Sequence, residues 1–180
     1  MIGTRVTIRY AKALFELAKE KAILDNVEKD LNRIQRVIDV SEKFQMMLVS
    51  PVIGADEKRR VLDNLFRKQL HPITFHFLNL LIDKKRENLL PIIINQFMKL
   101  LDEDRGILRG KLITAYKFTK TQMRLLKEKL DKITKKNVVL EQVVDPGLLG
   151  GFIVRLEDTV IDTSLKNQLV KIRESLISGS

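Results

Sequence analysis

The sequence contains no cysteine. That absence excludes a disulfide framework, a thiolate metal site and a cysteine nucleophile, and it fits a reducing, intracellular setting. Histidine is scarce as well: His71 and His76 are the only two, and at five residues apart they point to different sides of a helix. A helical metal pair needs a spacing of four, so each is expected to be a satisfied or exposed side chain. Long apolar runs are also missing. Stretches such as Leu89 to Ile94 fall far short of the roughly 20 residues that a membrane-spanning helix needs. There is no internal repeat and no low-complexity tract beyond the small polar tail Ser178 to Ser180.

What is present is a chain of 180 residues, 44% hydrophobic and 31% charged, enough for one moderate core or two small ones. The formal net charge of +10 invites a nucleic-acid or anionic-membrane reading. Its distribution weakens that idea, because residues 1–105 carry 19 Lys and Arg against 15 Asp and Glu, and residues 106–180 carry 14 against 8. The start, MIGTRVTIRYAKALFELAKE, is basic and amphipathic but reads as a first helix rather than a leader. Charges recur through Arg9, Lys12, Glu16 and Lys19, where a secretory signal needs an uninterrupted apolar core. Cytoplasmic residence is expected.

From Thr4 to Ala22 the polar residues Arg5, Arg9, Lys12, Glu16, Lys19 and Glu20 share one arc of roughly 100° of the helix circumference. Val6, Ile8, Tyr10, Ala11, Ala13, Leu14, Phe15, Leu17 and Ala18 spread over more than half of it. A helix this apolar is either central to a bundle or also receives a partner's helix. Asp25 is expected to cap a second helix with Val27, Leu31, Ile34 and Ile38 inward. A third, about Glu42 to Val49, stops before Ser50 and Pro51. Asp56 opens a fourth, with Val61, Leu62, Leu65 and Phe66 inward and the cluster Lys58, Arg59, Arg60 predicted to be a solvated outer face. Pro72 suits the first turn of a fifth helix, again apolar over a wide arc through Phe75, Phe77, Leu78, Leu80, Leu81 and Ile82. Asn88 is expected to cap a sixth, with Pro91 in its first turn and Ile93, Ile94, Phe97, Leu100 and Leu101 inward.

Gly106 marks a change of pattern. Beyond it Leu108 to Tyr116 reads as a strand, and a helix follows from Thr119 or Thr121 to about Lys135, with Met123, Leu126, Leu130 and Ile133 as its buried stripe. Asn137 opens the next strand. Then DPGLLGGFIVRLEDTVIDTS, Asp145 to Ser164, reads as a turn freed by Gly150 and Gly151, a strand with Phe152, Val154 and Leu156 on one face, and a polar turn at Glu157, Asp158 and Thr159. Val160 and Ile161 return to the core, and Ser164 caps a final helix. The expected fold is mostly α: a six-helix N-terminal bundle over 1–105 and a small α/β C-terminal domain over 106–180.

A search for chemistry finds no constellation. Gly106, Gly110 and Lys111 have three intervening residues and Leu112 where a phosphate loop needs Ser or Thr, and Gly147, Gly150 and Gly151 have no following lysine. Glu157, Asp158 and Asp162 lack the alternate spacing of a calcium loop, so turn and cap roles account for them. Ser164 has no identifiable base partner. The helix through Lys127, Lys129, Lys132, Lys135 and Lys136 is basic but lacks the aromatic platforms of single-strand binding, and it reads first as a solvated face.

RYAKALFELA from Arg9, LVSP ending at Pro51, FLNLLIDKKRENLLPIIINQF from Phe77 and DPGLLGGFIVRLEDTVIDTSLKNQL from Asp145 stand in order with compatible spacing. Together they resemble the delta-subunit family of F-type ATP synthases, whose mitochondrial relative is the oligomycin-sensitivity-conferring protein. With no transit peptide before the first helix, the sequence looks bacterial. The resemblance implies a stator subunit with no catalysis, cofactor or metal of its own, on the cytoplasmic face of the cell membrane and touching the membrane only through the complex. It implies one copy per complex, joining the catalytic head to the peripheral stalk. It further implies that the first and fifth helices receive an N-terminal helix of an alpha subunit. Tyr10, Ala13, Leu14, Leu17, Phe77, Leu78 and Leu81 are the candidates for that groove. The C-terminal domain is then expected to meet the stalk b subunit through the basic helix or through a tail helix with Leu165, Leu169, Ile172 and Leu176. Asp145, Pro146, Gly150, Gly151, Asp158, Asp162 and Ser164 carry the family motif. A basic helical RNA-binding module is the rival from another class.

Overall fold

The computed structural model describes residues 5–157 and 159–170. Six α-helices precede the first strand: α1 Arg5–Glu20, α2 Leu24–Val40, α3 Glu42–Val49, α4 Ala55–Phe66, α5 Pro72–Asp83 and α6 Leu90–Asp104. Then come β1 Ile107–Thr114, α7 Lys120–Thr134, β2 Asn137–Val144, β3 Phe152–Leu156 and β4 Thr159–Asp162. Residues 165–170 are helical. The chain divides into two compact units, Met1–Leu101 and Asp102–Ser180.

In the first unit, side chains spaced by three and four residues on each helix converge on one apolar core. On α1 the inward stripe is Thr7, Ala11, Leu14 and Ala18, and on α2 it is Val27, Asp30, Leu31, Ile34 and Ile38. Edge-on aromatic pairs tie distant helices together, Phe15 to Phe97 at 5.9 Å and Phe44 to Phe66 at 5.8 Å between ring centres. The buried Asp30 carboxylate accepts the His71 backbone N–H at 2.8 Å and so ties α2 to the start of α5. There the His71 ring nitrogen Nδ1 accepts from Ile73 N–H at 3.2 Å, which makes His71 a helix cap.

Helix starts differ from the expected ones in three places. Asp25 does not cap α2; Ile23 holds the cap position, and Asp25 sits in the first turn, where its charge favours the exposed N–H groups. α4 begins at Ala55 after Gly54, with Asp56 already inside its first turn. Asn88 belongs to a short 3-10 turn, Glu87–Leu89, that leads into α6, while Pro91 does fall in the first turn of α6. Thr4, the expected first residue of α1, lies outside the described residues.

The expectation of a solvated Lys58-Arg59-Arg60 face fails at Lys58. That residue is 3% exposed, and its ammonium donates to Glu87 Oε1 at 2.5 Å and to the Ser50 carbonyl at 2.9 Å. Consecutive helix residues are turned by about 100°, so three in a row cannot share a face. Lys58 falls on the stripe of Leu62 and Phe66, the inward side of α4. Arg59 faces out and bonds Asp83 and Asp56; the bond to Asp83 is the chief reason its guanidinium is held above its ordinary pKa. Leu65, expected inside, is exposed.

The second unit is a four-stranded sheet in the order β2-β1-β3-β4, with β1 and β2 parallel and the other pairs antiparallel. Two parallel neighbours require a crossover, and α7 supplies it. Its start is fixed by a capping box in which Thr119 and Gln122 satisfy each other's backbone N–H groups. Leu108, Leu112, Leu130, Val138, Val154 and Leu156 make the core between helix and sheet. Consequently the two strands flanking the glycines are not neighbours, since β1 runs between them.

Three expectations are corrected here. β1 ends at Thr114, leaving Tyr116 exposed. Thr159 belongs to β4, a fourth strand not foreseen, and Val160 points outward at 59% exposure while Ile161 packs on the core. On α7, Leu130 is buried and Met123 and Leu126 pack beside it, but Ile133 is exposed near the helix end.

Candidate functional site

An apolar opening in the first unit lies between α1 and α5. On α1 the buried stripe uses only part of the apolar arc, leaving Ala13 and Leu17 in contact with solvent beside Tyr10. On α5 the side chains of Ile73, Phe77 and Leu80 face the same way, spaced by four and three residues. Between the two helices runs a groove of ≈ 730 Å³ lined by Arg9, Tyr10, Ala13, Leu14 and Leu17 on one wall and Pro72, Ile73, His76, Phe77 and Leu80 on the other. Leu14 and Phe77 are its buried floor, and Tyr10 stands edge-on to Phe77 with ring centres 6.4 Å apart. Leu17, 39% exposed, and Leu80, 41% exposed, form its lips.

Polar groups stand only at the rim. The Arg9 guanidinium lies 6.0 Å from the centre of the Tyr10 ring, a cation–π arrangement that leaves its charge facing water. His76 Nδ1 is 2.7 Å from the Pro72 carbonyl, which fixes the ring through a bond that the carbonyl accepts. No carboxylate is among the lining residues. The trough offers a stretch of apolar surface between two helices, the kind of surface on which one face of an amphipathic helix can lie.

Tyr10, Ala13, Leu14, Leu17 and Phe77 come together in this groove, whereas Leu78 and Leu81 do not line it. Both are 1% exposed and belong to the core; Leu78 is turned by about 100° or more from every member of the groove stripe of α5, and Leu81 by about 100° from Leu80 but only about 40° from Phe77. Arg9, Ile73, His76 and Leu80 were not singled out. The signal was available for two of them, because Ile73, Phe77 and Leu80 repeat at helical spacing, but α5 is apolar nearly all round and the outward stripe does not announce itself.

The motif residues of the second unit hold backbone. Asp145 accepts from the Gly147 N–H at 2.9 Å, and Pro146 opens the 3-10 turn Pro146–Leu148. Gly151 has φ +77°, and a Cβ there would lie 2.4 Å from the Thr163 carbonyl oxygen, so only glycine fits. Gly150 lies against Leu165. Asp162 accepts from the Ser164 N–H at 2.9 Å, and Ser164 Oγ accepts from Asn167 N–H at 3.3 Å to start the helical residues 165–170. Asp158 lies outside the described residues, as do Ile172 and Leu176. Among the described residues no three His, Cys, Asp or Glu are grouped to hold a metal, and no helix is long and apolar enough to cross a membrane.

Comparison with known proteins covers the same span. The family model for the ATP synthase delta (OSCP) subunit matches residues 6–176. ATP synthase subunit delta of Chlorobaculum parvum is 39% identical over 170 residues, 94% of each chain. That of Carboxydothermus hydrogenoformans is 38% identical over 176 residues, 98% of this chain and 99% of the relative. Among solved structures, a chain of the Toxoplasma gondii mitochondrial ATP synthase hexamer shares the fold with TM-score 0.72 at 23% identity, over 97% of this chain and 98% of that one.

Proposed function

Because the chain belongs to the ATP synthase delta (OSCP) subunit family, we propose that it is a stator component, fastening the catalytic head of an F-type ATP synthase to the peripheral stalk. Torque from the central shaft would turn the head along with the rotor unless something off the axis restrains it. The restraint is mechanical, so the subunit needs neither a catalytic residue nor a cofactor. The six-helix bundle takes the head and the α/β unit takes the stalk b subunits, with one copy per complex at the cytoplasmic face of the membrane.

The observation that carries this reading is the apolar groove between α1 and α5. An amphipathic N-terminal helix of an alpha subunit laid along it covers Tyr10, Leu17, Phe77 and Leu80 and removes from water the surface that the bundle's own core leaves open. Burial at about 25 cal/mol per Å² makes such a contact durable, although part of the gain is offset by ordering the helix. The RNA-binding alternative has less to rest on: Arg124 and Lys127 of the basic helix are occupied by Glu128, Asp131 and Asn137.

Purified head, with and without the N-terminal segments of its alpha subunits, provides the test. Binding is expected to be strong with the intact head and to disappear on truncation. Equal affinity for both heads would remove the groove from the account.

A further inference from the structure

The groove between α1 and α5 differs from one end to the other. Arg9 stands at one end of the α1 wall and Leu17 at the other, about 12 Å apart along the helix axis. Arg9 is exposed, and among the described lining residues it carries the one permanent charge. Arg5, exposed as well, precedes it by one turn and lies on the same side of α1, which makes this the basic end. The two acids of α1, Glu16 and Glu20, stand about two and three turns further on, each beside a lysine.

A guanidinium has five N–H donors and no acceptor. The Arg9 group lies over the Tyr10 ring, 6.0 Å from its centre, a contact that uses its charge and leaves its N–H groups to water. A helix laid along the groove displaces part of that water. The donors then need an acceptor from the incoming chain, or their lost hydration is subtracted from the apolar gain. No lining residue is a carboxylate, so the acceptor has to come with the occupant.

We propose that Arg9 selects and orients the docked segment. The amphipathic helix carries a carboxylate beside its apolar stripe, and it lies in the groove in the direction that brings this carboxylate to the basic end of α1. An Arg–carboxylate pair suits the role, because its planar, two-bond geometry fixes direction as well as attraction. This rests on the groove as the seat of the head, and adds to it the chemistry of the segment and the sense in which it runs.

Calorimetric titration of the full chain with a synthetic peptide of the alpha subunit's N-terminal segment, at low and raised salt, tests it. Arg9→Glu is expected to weaken binding at least about tenfold, and Arg9→Lys to keep most of the salt dependence. With the acids of the peptide replaced by lysine one at a time, one replacement should restore affinity for the Arg9→Glu chain while weakening binding to the wild type. Loss of the Tyr10 contact alone predicts no such rescue. Arg9 is exposed, and unchanged circular dichroism verifies that the variants fold. A nitroxide at the peptide end nearer the acid so identified should broaden the Arg9 amide resonance more than that of Leu17; the reverse overturns the orientation. Equal binding by wild type and Arg9→Glu overturns the role of Arg9 while leaving the groove as the seat of the head. Weakening that no peptide variant restores overturns the carboxylate partner. Failure of the wild-type chain to bind the peptide overturns this proposal and the docking reading together.

Discussion

Removing the charge of Lys58 isolates one buried interaction. Its ammonium is held by Glu87 at 2.5 Å and the Ser50 carbonyl at 2.9 Å, and it bridges α4, the loop after α3 and the turn before α6. Among the described residues the buried Glu87 Oε2 has no hydrogen-bond partner, so the carboxylate depends heavily on this one cation. In Lys58→Met the volume is nearly kept, but the carboxylate and the Ser50 carbonyl lose their donor. Breaking one side of a buried pair costs about 3–5 kcal/mol, and with the Glu87 side chain 14% exposed the lower end applies. For a unit of this size that corresponds to a fall in melting temperature of roughly 10–20 °C. The double variant Lys58→Met, Glu87→Leu removes both charges, and replacing a whole buried pair by apolar groups is often neutral. It is therefore expected to recover most of the loss. Urea and thermal unfolding of the four members of this cycle, followed by circular dichroism, measure the coupling. A single variant losing less than about 1 kcal/mol, or a double variant as unstable as the single, refutes the buried pair.

Two further outcomes concern the folding units separately. Gly151→Ala is expected to destabilise the C-terminal unit by about 2 kcal/mol or more, because the added Cβ meets the Thr163 carbonyl and φ is +77°; a change below about 0.5 kcal/mol in denaturant unfolding contradicts that geometry. Leu78→Ala opens a cavity in the bundle core and should cost about 3 kcal/mol, whereas Leu80→Asp, on the groove lip, should leave unfolding nearly unchanged. Equal losses at the two positions would mean that the two stripes of α5 have been misassigned.

Much of the architecture was legible because local signals agreed. Pro72 in α5 and Thr119 before α7 fit a first turn or satisfy N–H groups, and spacing of three and four residues marks the buried stripe of α2. What escaped depends on tertiary placement. Lys58 looks like its neighbours Arg59 and Arg60, and only the helix phase set by Leu62 and Phe66 turns it inward, where Glu87 from a distant segment meets it. β4 has four residues beside a polar turn, and an edge strand that short has little periodicity to detect. On α1 the excess apolar arc was visible, and the surplus over the core is what forms one groove wall. On α5 the same excess hid the direction: Leu78 and Leu81 resemble Phe77 and Leu80 in type, and only packing separates core from groove.

Affinity of the intact catalytic head for the wild-type chain and for Leu17→Asp, Leu80→Asp and their combination probes the central claim most directly. A buried carboxylate at either lip should cost about 2–3 kcal/mol, a weakening of roughly 30- to 150-fold, with the folded bundle unaltered because both positions already touch water. The combination should abolish measurable binding. Wild-type affinity in the doubly substituted chain, folded and stable, would contradict a groove between α1 and α5 as the seat of the head.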